Sequence, residues 1–314
     1  MTVPAQLISL IRQESSRPVP PSVNTLAQDI LVRYGDAVQA ILFYGSCFRK
    51  GDDADGIVDL YVLMDNYRHA YGRHSQAFFN KLLPPNVYYL EVPYEARKCR
   101  VKYAVFSFKD FLRGTSTHWF HSYLWGRLAQ PVGLVYARNK HVTDQVHAAL
   151  GRAVVTFITR VVPVIPPQFT SHELWSKGLE LSYAAELRAE RRDGLVSLFN
   201  SDLHHYEELT RAAMGMVPFS VRALNSTCYQ TKISALRRTF CRFAWHLRLV
   251  QGKGLSILRL FKGLFTFEGG LNYILWKIER HSGVTVQIDP RLRRVPLVGV
   301  GVLFWRLYRR GAFR

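Results

Sequence analysis

Two short apolar segments between residues 41 and 63 constrain the fold more than any other part of the chain. The stretch ILFYGSCFRKGDDADGIVDLYVL contains an apolar run that ends at a Gly-Ser pair, then a basic pair, an acidic cluster and a second apolar run. Short apolar runs that end at glycine predict buried strands. The second run contains Asp59. Because an unpaired carboxylate in a buried strand is costly, we expect a metal ion or a cation beside it.

Strand and helix patterns alternate around these two segments. Helical spacing predicts a helix in residues 22–38, before the first strand, and another over 66–83, which Pro84 ends. Further strands are predicted at 86–92 and 99–107. We therefore expect an α/β (α+β) fold in which helices flank a mixed sheet of four or five strands.

The chain is long enough for two domains, because single cores stop growing efficiently beyond ~250 residues. A Pro-rich leader is expected at 1–22 and a sheet domain at 23–138. The pattern becomes mostly helical from about residue 108. It predicts a helical second domain at 139–220 and a basic amphipathic, membrane-associating region at 221–314.

The net charge of +19 is concentrated in the last third of the chain. Residues 220–314 contain 18 Lys and Arg but only three acidic residues, a net charge of +15. A positive field of this size concentrates anionic partners. Charge alone does not choose between nucleic acid and an anionic membrane surface.

Apolar residues of the segment ISALRRTFCRFAWHLRLV recur at three- and four-residue steps, and Arg238 and Arg242 fall off this stripe. The stripe consists of Ile233, Leu236, Phe240, Phe243, Leu247 and Val250. Such a helix can contact a membrane, or it can face the core and leave its basic side in solvent. At the C-terminus, we expect membrane contact through Trp305, Arg306, Tyr308, Arg309 and Arg310.

The four cysteines have no CxxC spacing, which favours reduced thiols in a cytosol-like compartment and implies no zinc site. The N-terminus resembles neither a secretory signal nor an Arg-rich transit peptide. The longest apolar stretch, 295–305, is shorter than the ~20 residues of a spanning helix. We therefore expect a peripheral rather than an integral membrane protein.

The Gly-Ser turn and the strand aspartate resemble the nucleotidyltransferase superfamily motif GSxxRGxxxxxSDIDLLV. In the alignment Asp59 takes the second aspartate of the motif, whereas Ile57 takes the first. The sheet domain is accordingly interpreted as a nucleotidyltransferase domain, whose turn would approach the nucleotide phosphates. The residues expected to bind the nucleotide are Tyr44, Gly45, Ser46, Arg49 and Lys50.

Asp59 is expected to hold Mg²⁺, which takes oxygen ligands and bridges a triphosphate. Because Ile57 removes one ligand of the usual pair, Asp55 or Glu91 is expected to substitute for it. Two alternatives remain open. Asp59 could be a structural ion-pair partner, and Glu91 could lie at an exposed strand position.

Further segments resemble the mitochondrial-type phosphatidate cytidylyltransferases, the translocator assembly and maintenance family of CDP-diacylglycerol synthases. That family also has an apolar residue at the first-aspartate position, and VDLYV here is similar to its LDFxF strand. VKYAVFS, LWGRLAQPV and LELSYAAELRAE are similar to its IKYGVIS, AGRLQKPV and AGLSYSGDFRM. The ordered likeness covers residues 41 to about 210.

This resemblance implies transfer of CMP from CTP to phosphatidic acid with Mg²⁺, giving CDP-diacylglycerol and pyrophosphate. Lys102 matches the lysine of the family's KYG segment and is expected to be catalytic together with Asp59; an edge-strand lysine is the alternative. Arg127 and Arg188 are expected either to bind the phosphatidate phosphate or to form interdomain ion pairs.

The expected location is peripheral, on the cytoplasmic face of a bacterial inner membrane or on the mitochondrial inner membrane if the chain is organellar. No nucleic-acid partner is expected, and the oligomeric state is left open. Two other functions remain: an RNA or small-molecule nucleotidyltransferase with a basic nucleic-acid-binding tail, and an inactive nucleotide-binding module.

Overall fold

The computed structural model of the chain describes residues 3–52, 56–72, 74–95, 97–186 and 202–266. The first elements are α1 (Ala5–Ser15), α2 (Pro21–Tyr34), β1 (Val38–Tyr44), α3 (Ser46–Lys50), β2 (Val58–Met64), α4 (Tyr67–Ala70), α5 (His74–Leu82), β3 (Asn86–Tyr94) and β4 (Arg97–Ser107). The later elements are α6 (Phe108–Gly114), α7 (Tyr123–Leu128), β5 (Gly133–Ala137), α8 (Lys140–Val161), β6 (Gln168–Thr170), α9 (Ser171–Ala184), α10 (Leu203–Ala213), β7 (Ser220–Ala223), β8 (Cys228–Lys232) and α11 (Ala235–Thr266).

Five strands form one mixed sheet in the order β3-β4-β2-β1-β5. Strands β2 and β4 run parallel, and the other neighbouring pairs are antiparallel. The long crossover from β2 to β4 contains α4, α5 and β3. The mixed α/β sheet with flanking helices that the sequence predicts is therefore confirmed.

Both faces of this sheet are buried. Leu42 and Leu63 belong to a core that contains much of α8, whereas Phe43 and Val62 point into a second core that contains the apolar side of α2. Side chains alternate between the two faces along a strand. Asp59 therefore lies on the same face as Leu63, the face that the later helices cover.

Helix α8 is the central helix of the larger core and packs against α1, α7, α9 and α10. Among the described residues, the helical stretch Lys140–Val164 meets the length and hydropathy of a membrane span, and 78% of its most apolar window is buried inside the fold. Its apolar character is therefore already used in packing against neighbouring helices.

The sequence predicts a leader over 1–22, but part of this stretch is a packed helix. Leu7 and Ile11 of α1 are buried against α8. Their four-residue spacing gives this short helix one apolar side. The prolines on either side of the helix make the segment resemble a Pro-rich leader in the sequence. The stretch expected as a leader therefore contains a packed helix at Ala5–Ser15.

A small antiparallel sheet in the order β6-β8-β7 joins the two regions expected at 139–220 and 221–314. Two other details differ from expectation. The helical stretch predicted at 66–83 contains two separate helices, α4 and α5, and β5 lies in a region expected to be mostly helical. Strand β5 is only five residues long and partly exposed, so its apolar pattern is weak.

Helix α11 packs with its polar side inward. Trp245, Arg248 and Lys262 are buried, and Arg238 donates hydrogen bonds to the Pro163 and Ile165 carbonyls. The opposite side exposes a row of large apolar side chains, hereafter the apolar stripe: Leu236, Phe240, Phe243, Leu247 and Val250. Of the two orientations left open by the sequence, the stripe therefore does not face the core.

Candidate active site

A polar pocket of about 270 Å³ opens at one end of strands β1 and β2, on the sheet face that α7 and α9 cover. Strand β1 ends there and β2 begins there, so both contribute residues. The residues that line the pocket are Tyr44, Gly45, Ser46, Arg49, Asp59, Lys102, Arg127, Gln130, Pro131, Tyr183 and Glu186.

Gly45 forms the turn from β1 into α3, with φ of 87° and ψ of −162°. This backbone conformation is essentially restricted to glycine. In the antiparallel register Tyr44 pairs with Asp59, and a Cβ built at Gly45 would lie 3.0 Å from Asp59 Oδ2. Glycine therefore allows the turn to pass directly against the carboxylate.

Asp59 and Lys102 are cross-strand neighbours in the parallel pair of β2 and β4. The Lys102 ammonium lies 2.8 Å from Asp59 Oδ1, and both side chains are about one quarter to one third exposed to the pocket. The cation expected beside this carboxylate is thus Lys102. Asp59 is thus an ion-pair partner, which is one of the alternatives that the sequence left open, and both residues of the pair line the pocket.

Tyr44 lines the pocket, and Tyr61 packs against it. The rings of Tyr44 and Tyr61 stack with their centroids 4.2 Å apart. Burial raises the pKa of the Tyr44 phenol well above its usual range, and the Asp59 charge adds to this effect. Burial also raises the pKa of Tyr61. Both phenols therefore stay neutral beside the charged groups.

Arg127 of α7 lines the pocket and forms an ion pair with Glu186, the second residue after the end of α9. Arg127 Nε donates to Glu186 Oε1 at 2.9 Å, and its NH2 group donates to Oε2, so the contact is bidentate. The guanidinium also lies over the rings of Tyr123 and Tyr183. These contacts fix the cation in one orientation.

Helix α11 supports this side of the pocket from behind. The Arg259 guanidinium covers the ring of Tyr123 at 4.6 Å, and its Nε donates to the Pro84 carbonyl. The α11 backbone also approaches the end of α9, because a Cβ at Gly252 would collide with the Ala185 carbonyl oxygen. Only glycine allows the two helices to lie this close.

The structure brings together many of the residues predicted from the sequence. Those that line the pocket are Tyr44, Gly45, Ser46, Arg49, Asp59, Lys102 and Arg127. Lys50 is exposed and outside the lining. Asp55, Arg188 and the terminal set of Trp305, Arg306, Tyr308, Arg309 and Arg310 lie outside the described residues.

Glu91 is engaged away from the pocket lining. Its carboxylate accepts a 2.7 Å hydrogen bond from the Tyr89 hydroxyl and lies 3.4 Å from Arg100 Nε. Within the described ranges, no group of three or more His, Cys, Asp and Glu side chains could hold a metal ion. Two carboxylates line the pocket, Glu186, which pairs with Arg127, and Asp59, which pairs with Lys102.

Four lining residues escaped the sequence analysis: Gln130, Pro131, Tyr183 and Glu186. The Tyr183 hydroxyl donates to Gln130 Oε1 at 3.2 Å, which links α9 to the end of α7. All four lie in LWGRLAQPV and LELSYAAELRAE, the two segments that also contain Arg127 and Arg188. The signal available was a polar residue beside each arginine in those two segments.

The fold and the pocket together define an α/β protein of the nucleotidyltransferase type. Residues 64–237, more than half of the chain, match the family described as phosphatidate cytidylyltransferase, mitochondrial. The chain belongs to this family. The matched range contains Lys102, Arg127 and Glu186, whereas the Gly45 turn and Asp59 precede it.

Two further comparisons add little. No curated protein matches the chain. A crystal structure of a nucleotidyltransferase-like protein from Exiguobacterium sibiricum aligns over 92% of both chains with 11% identity and a TM-score of 0.28. At that TM-score the likeness carries no argument about this chain.

Proposed function

We propose that this chain transfers CMP from CTP to phosphatidic acid, producing CDP-diacylglycerol and pyrophosphate for phospholipid biosynthesis. The observation that carries the proposal is the composition of the pocket. Arg49, Lys102 and Arg127 line it together with Asp59, against a glycine turn that lets a ligand approach the backbone. Family membership supports the reaction class.

The charges of the pocket suit two phosphate-bearing substrates. Glu186 balances the charge of Arg127, and Asp59 balances that of Lys102. Arg49 adds one further positive charge to the pocket lining. Arginine and lysine are the usual partners of phosphate oxygens. A triphosphate brings enough negative charge to engage these cations together.

In the proposed reaction, an anionic oxygen of the phosphatidate phosphate attacks the α-phosphorus of CTP. A new P–O–P linkage forms, the bond between the α-phosphorus and its bridging oxygen breaks, and pyrophosphate leaves with the electron pair. The attacking oxygen is already anionic, so no general base is needed. Catalysis then consists of positioning and charge stabilisation.

Each cation has a proposed role in this scheme. Lys102 neutralises charge on the triphosphate and on the leaving pyrophosphate. Arg127, which Glu186 holds in place, binds the phosphatidate phosphate. Arg49 and the backbone of the Gly45 turn hold the nucleotide phosphates.

Mg²⁺ is the proposed cofactor, and the donor set fits it. Magnesium in proteins is commonly held by one or two carboxylates together with substrate phosphates. Asp59 supplies one carboxylate that faces the pocket, and CTP would supply the phosphate oxygens. When bound, the ion would neutralise charge on the triphosphate.

The proposed location is peripheral, on an anionic membrane surface, because phosphatidic acid stays in the bilayer. The apolar stripe of α11 and the net charge of +15 in residues 220–314 support this proposal. The surface would be the mitochondrial inner membrane in an organelle or the cytoplasmic face of the inner membrane in a bacterium.

The test is an assay of the full chain with CTP, Mg²⁺ and liposomes that contain phosphatidic acid, with pyrophosphate and CDP-diacylglycerol both measured. We expect equal amounts of the two products, and none when diacylglycerol replaces phosphatidic acid or when a chelator removes the metal. ATP in place of CTP serves as the nucleotide control.

Two outcomes would contradict the proposal. Extension of an RNA 3′ end with no lipid product would identify a nucleic-acid nucleotidyltransferase. Metal-dependent CTP binding without turnover on any acceptor would identify an inactive nucleotide-binding module.

A further inference from the structure

A second cavity, of about 410 Å³, lies between the C-terminal end of α8, residues 216–219 and the N-terminal half of α11. Arg160, Arg237 and Arg248 line it, and the described lining residues include no Asp or Glu. Three guanidinium groups around one cavity without a carboxylate form an arrangement that an anion would stabilise.

Two of these arginines are held in place by backbone carbonyls rather than by acidic groups. Arg248 is only 2% exposed, and its Nε donates to the Phe120 carbonyl at 2.8 Å. Arg160 donates to the Thr117 carbonyl, and its buried Nε has no hydrogen-bond partner among the described residues. Both side chains therefore keep donor capacity at the cavity.

Burial makes the charge on these groups costly. Burial, with a further contribution from the nearby Arg160 charge, lowers the pKa of Arg248 to about 10. Burial also lowers the pKa of Arg160. An anion in the cavity would raise both pKa values again, since a nearby opposite charge favours the charged form of each arginine.

The cavity borders the apolar stripe of α11. Phe240 lines the cavity and is also a member of the stripe, and it is 69% exposed. Arg237 lies beside it on the same helix, with its guanidinium 4.8 Å from the Phe219 ring. An anion site and an exposed apolar surface are thus contiguous on one helix.

We propose that this cavity binds the phosphate headgroup of an anionic phospholipid while the apolar stripe contacts the acyl-chain boundary of the same leaflet. A bilayer offers both chemistries side by side, whereas a soluble phosphate would leave the stripe unused. This inference rests on the proposed membrane location, and it is independent of cytidylyl transfer.

The headgroup site is separate from the catalytic pocket. Arg248 lines the cavity, and Arg259, eleven residues further along α11, covers Tyr123 beside Arg127 of the other pocket. At a rise of 1.5 Å per residue, these two arginines are ~16 Å apart along the helix axis. The bound lipid would therefore be an anchor and not the substrate.

The test is cosedimentation of the full chain with phosphatidylcholine vesicles that contain or lack phosphatidylglycerol, without CTP or phosphatidic acid. The test variants are Arg237→Gln, whose side chain is exposed, and Arg160→Gln. The matched control is Arg242→Gln, which removes the same charge from an exposed position of α11 outside the cavity.

We expect the wild type to bind the anionic vesicles preferentially. Loss of a surface charge in Arg242→Gln should weaken binding about fivefold. Loss of a headgroup contact in Arg237→Gln should weaken it at least about tenfold. Phe243→Ser, which changes only the stripe, should weaken binding to vesicles of both compositions.

Several results would overturn the proposal. Equal losses in Arg237→Gln and Arg242→Gln would mean that the basic surface acts only through its overall charge. Tight binding of inorganic phosphate or glycerol 3-phosphate without vesicle recruitment would assign the cavity to a soluble anion. The third result is that the wild-type protein self-associates through the stripe while Phe243→Ser binds vesicles as the wild type does. This result would identify the stripe as an interface between copies of the chain.

The design separates this inference from the transferase proposal. Failure of the lipid-product assay leaves the vesicle measurement interpretable, because the vesicles contain no substrate. Thermal unfolding of each variant checks that it folds. If Arg160→Gln does not fold, the proposal is tested by comparing the losses of vesicle binding in Arg237→Gln and Arg242→Gln.

Discussion

Asp59 and Lys102 occupy paired positions on the parallel strands β2 and β4, and their charged groups are 2.8 Å apart in the wall of the pocket. Each charge neutralises the other. In the proposed reaction both would turn to the nucleotide, Asp59 through a metal ion and Lys102 through the triphosphate.

Asp59→Asn should reduce turnover by about three orders of magnitude, because metal-assisted charge stabilisation typically contributes several kcal/mol. Thermal unfolding should show a loss of stability, because Lys102 loses its partner carboxylate, so folding of the variant is checked before rates are compared. The measurement is initial rate against Mg²⁺ concentration. Asp36→Asn, which removes a carboxylate that is 94% exposed, is the matched control. An Asp59→Asn protein with wild-type metal dependence would rule out the ligand role.

Gly45→Ala should weaken CTP binding and destabilise the fold by about 1–3 kcal/mol, because the backbone conformation is unfavourable for alanine. The new Cβ would also lie 3.0 Å from Asp59 Oδ2. Gly35→Ala is the control: it also has positive φ, but a Cβ there would meet no atom within 4 Å. Calorimetric titration with CTP should detect a loss at Gly45 only. Equal CTP affinity in both variants would show that the turn does not contact the nucleotide.

The Arg127–Glu186 pair should be strongly coupled. Removal of one partner from a largely buried ion pair typically costs about 3 kcal/mol, because the other charge remains without compensation. The double variant Arg127→Met/Glu186→Gln should therefore lose less stability than the sum of the two single variants. Chemical denaturation of all four proteins gives the coupling energy. Additivity within about 0.5 kcal/mol would mean that the pair does not stabilise the pocket.

His121 should make the protein less stable in mild acid. Burial, with a contribution from Arg259, lowers the pKa of this histidine from 6.5 to about 3. The unfolded chain therefore binds a proton that the folded chain does not, and stability falls as the pH drops from 6.5 towards 3. The contribution is at most about 1.4 kcal/mol per pH unit.

Denaturation of the wild type and of His121→Gln at pH 6.5 and 5 measures this slope. The variant should show a shallower loss, while His204→Gln, which changes a histidine whose side chain is 84% exposed, should behave like the wild type. Burial also lowers the pKa values of His147 and His205, so some slope should remain in the variant. Identical slopes in the wild type and His121→Gln would contradict the prediction.

The sequence was sufficient for the central strands and for the residues that those strands carry. The signals are local, because β1 and β2 are continuous apolar runs and Asp59 is an exception within one of them. Strand pairing then brought Lys102 beside Asp59 without any specific helix arrangement. The sequence therefore predicted that a positive charge would lie beside Asp59.

The helical side of the pocket was less accessible to prediction. Arg127 and Glu186 are 59 residues apart, and they meet because α7 and α9 both pack on α8. Helical periodicity does not specify such a contact. The orientation of α11 was hidden for a similar reason. Its amphipathic pattern defines an apolar and a polar side. Which side faces the protein depends on hydrogen bonds that Arg248 and Lys262 donate to the backbone carbonyls of Phe120 and Pro85.

The contact between Gly252 and the Ala185 carbonyl has a mechanical consequence. Ala185 directly precedes Glu186, so the helix that carries the apolar stripe contacts, through backbone atoms, the chain next to the carboxylate that holds Arg127. A glycine provides no side chain that could absorb a movement by changing its rotamer. A shift of α11 would therefore push directly on the backbone beside Glu186, the residue that pairs with Arg127.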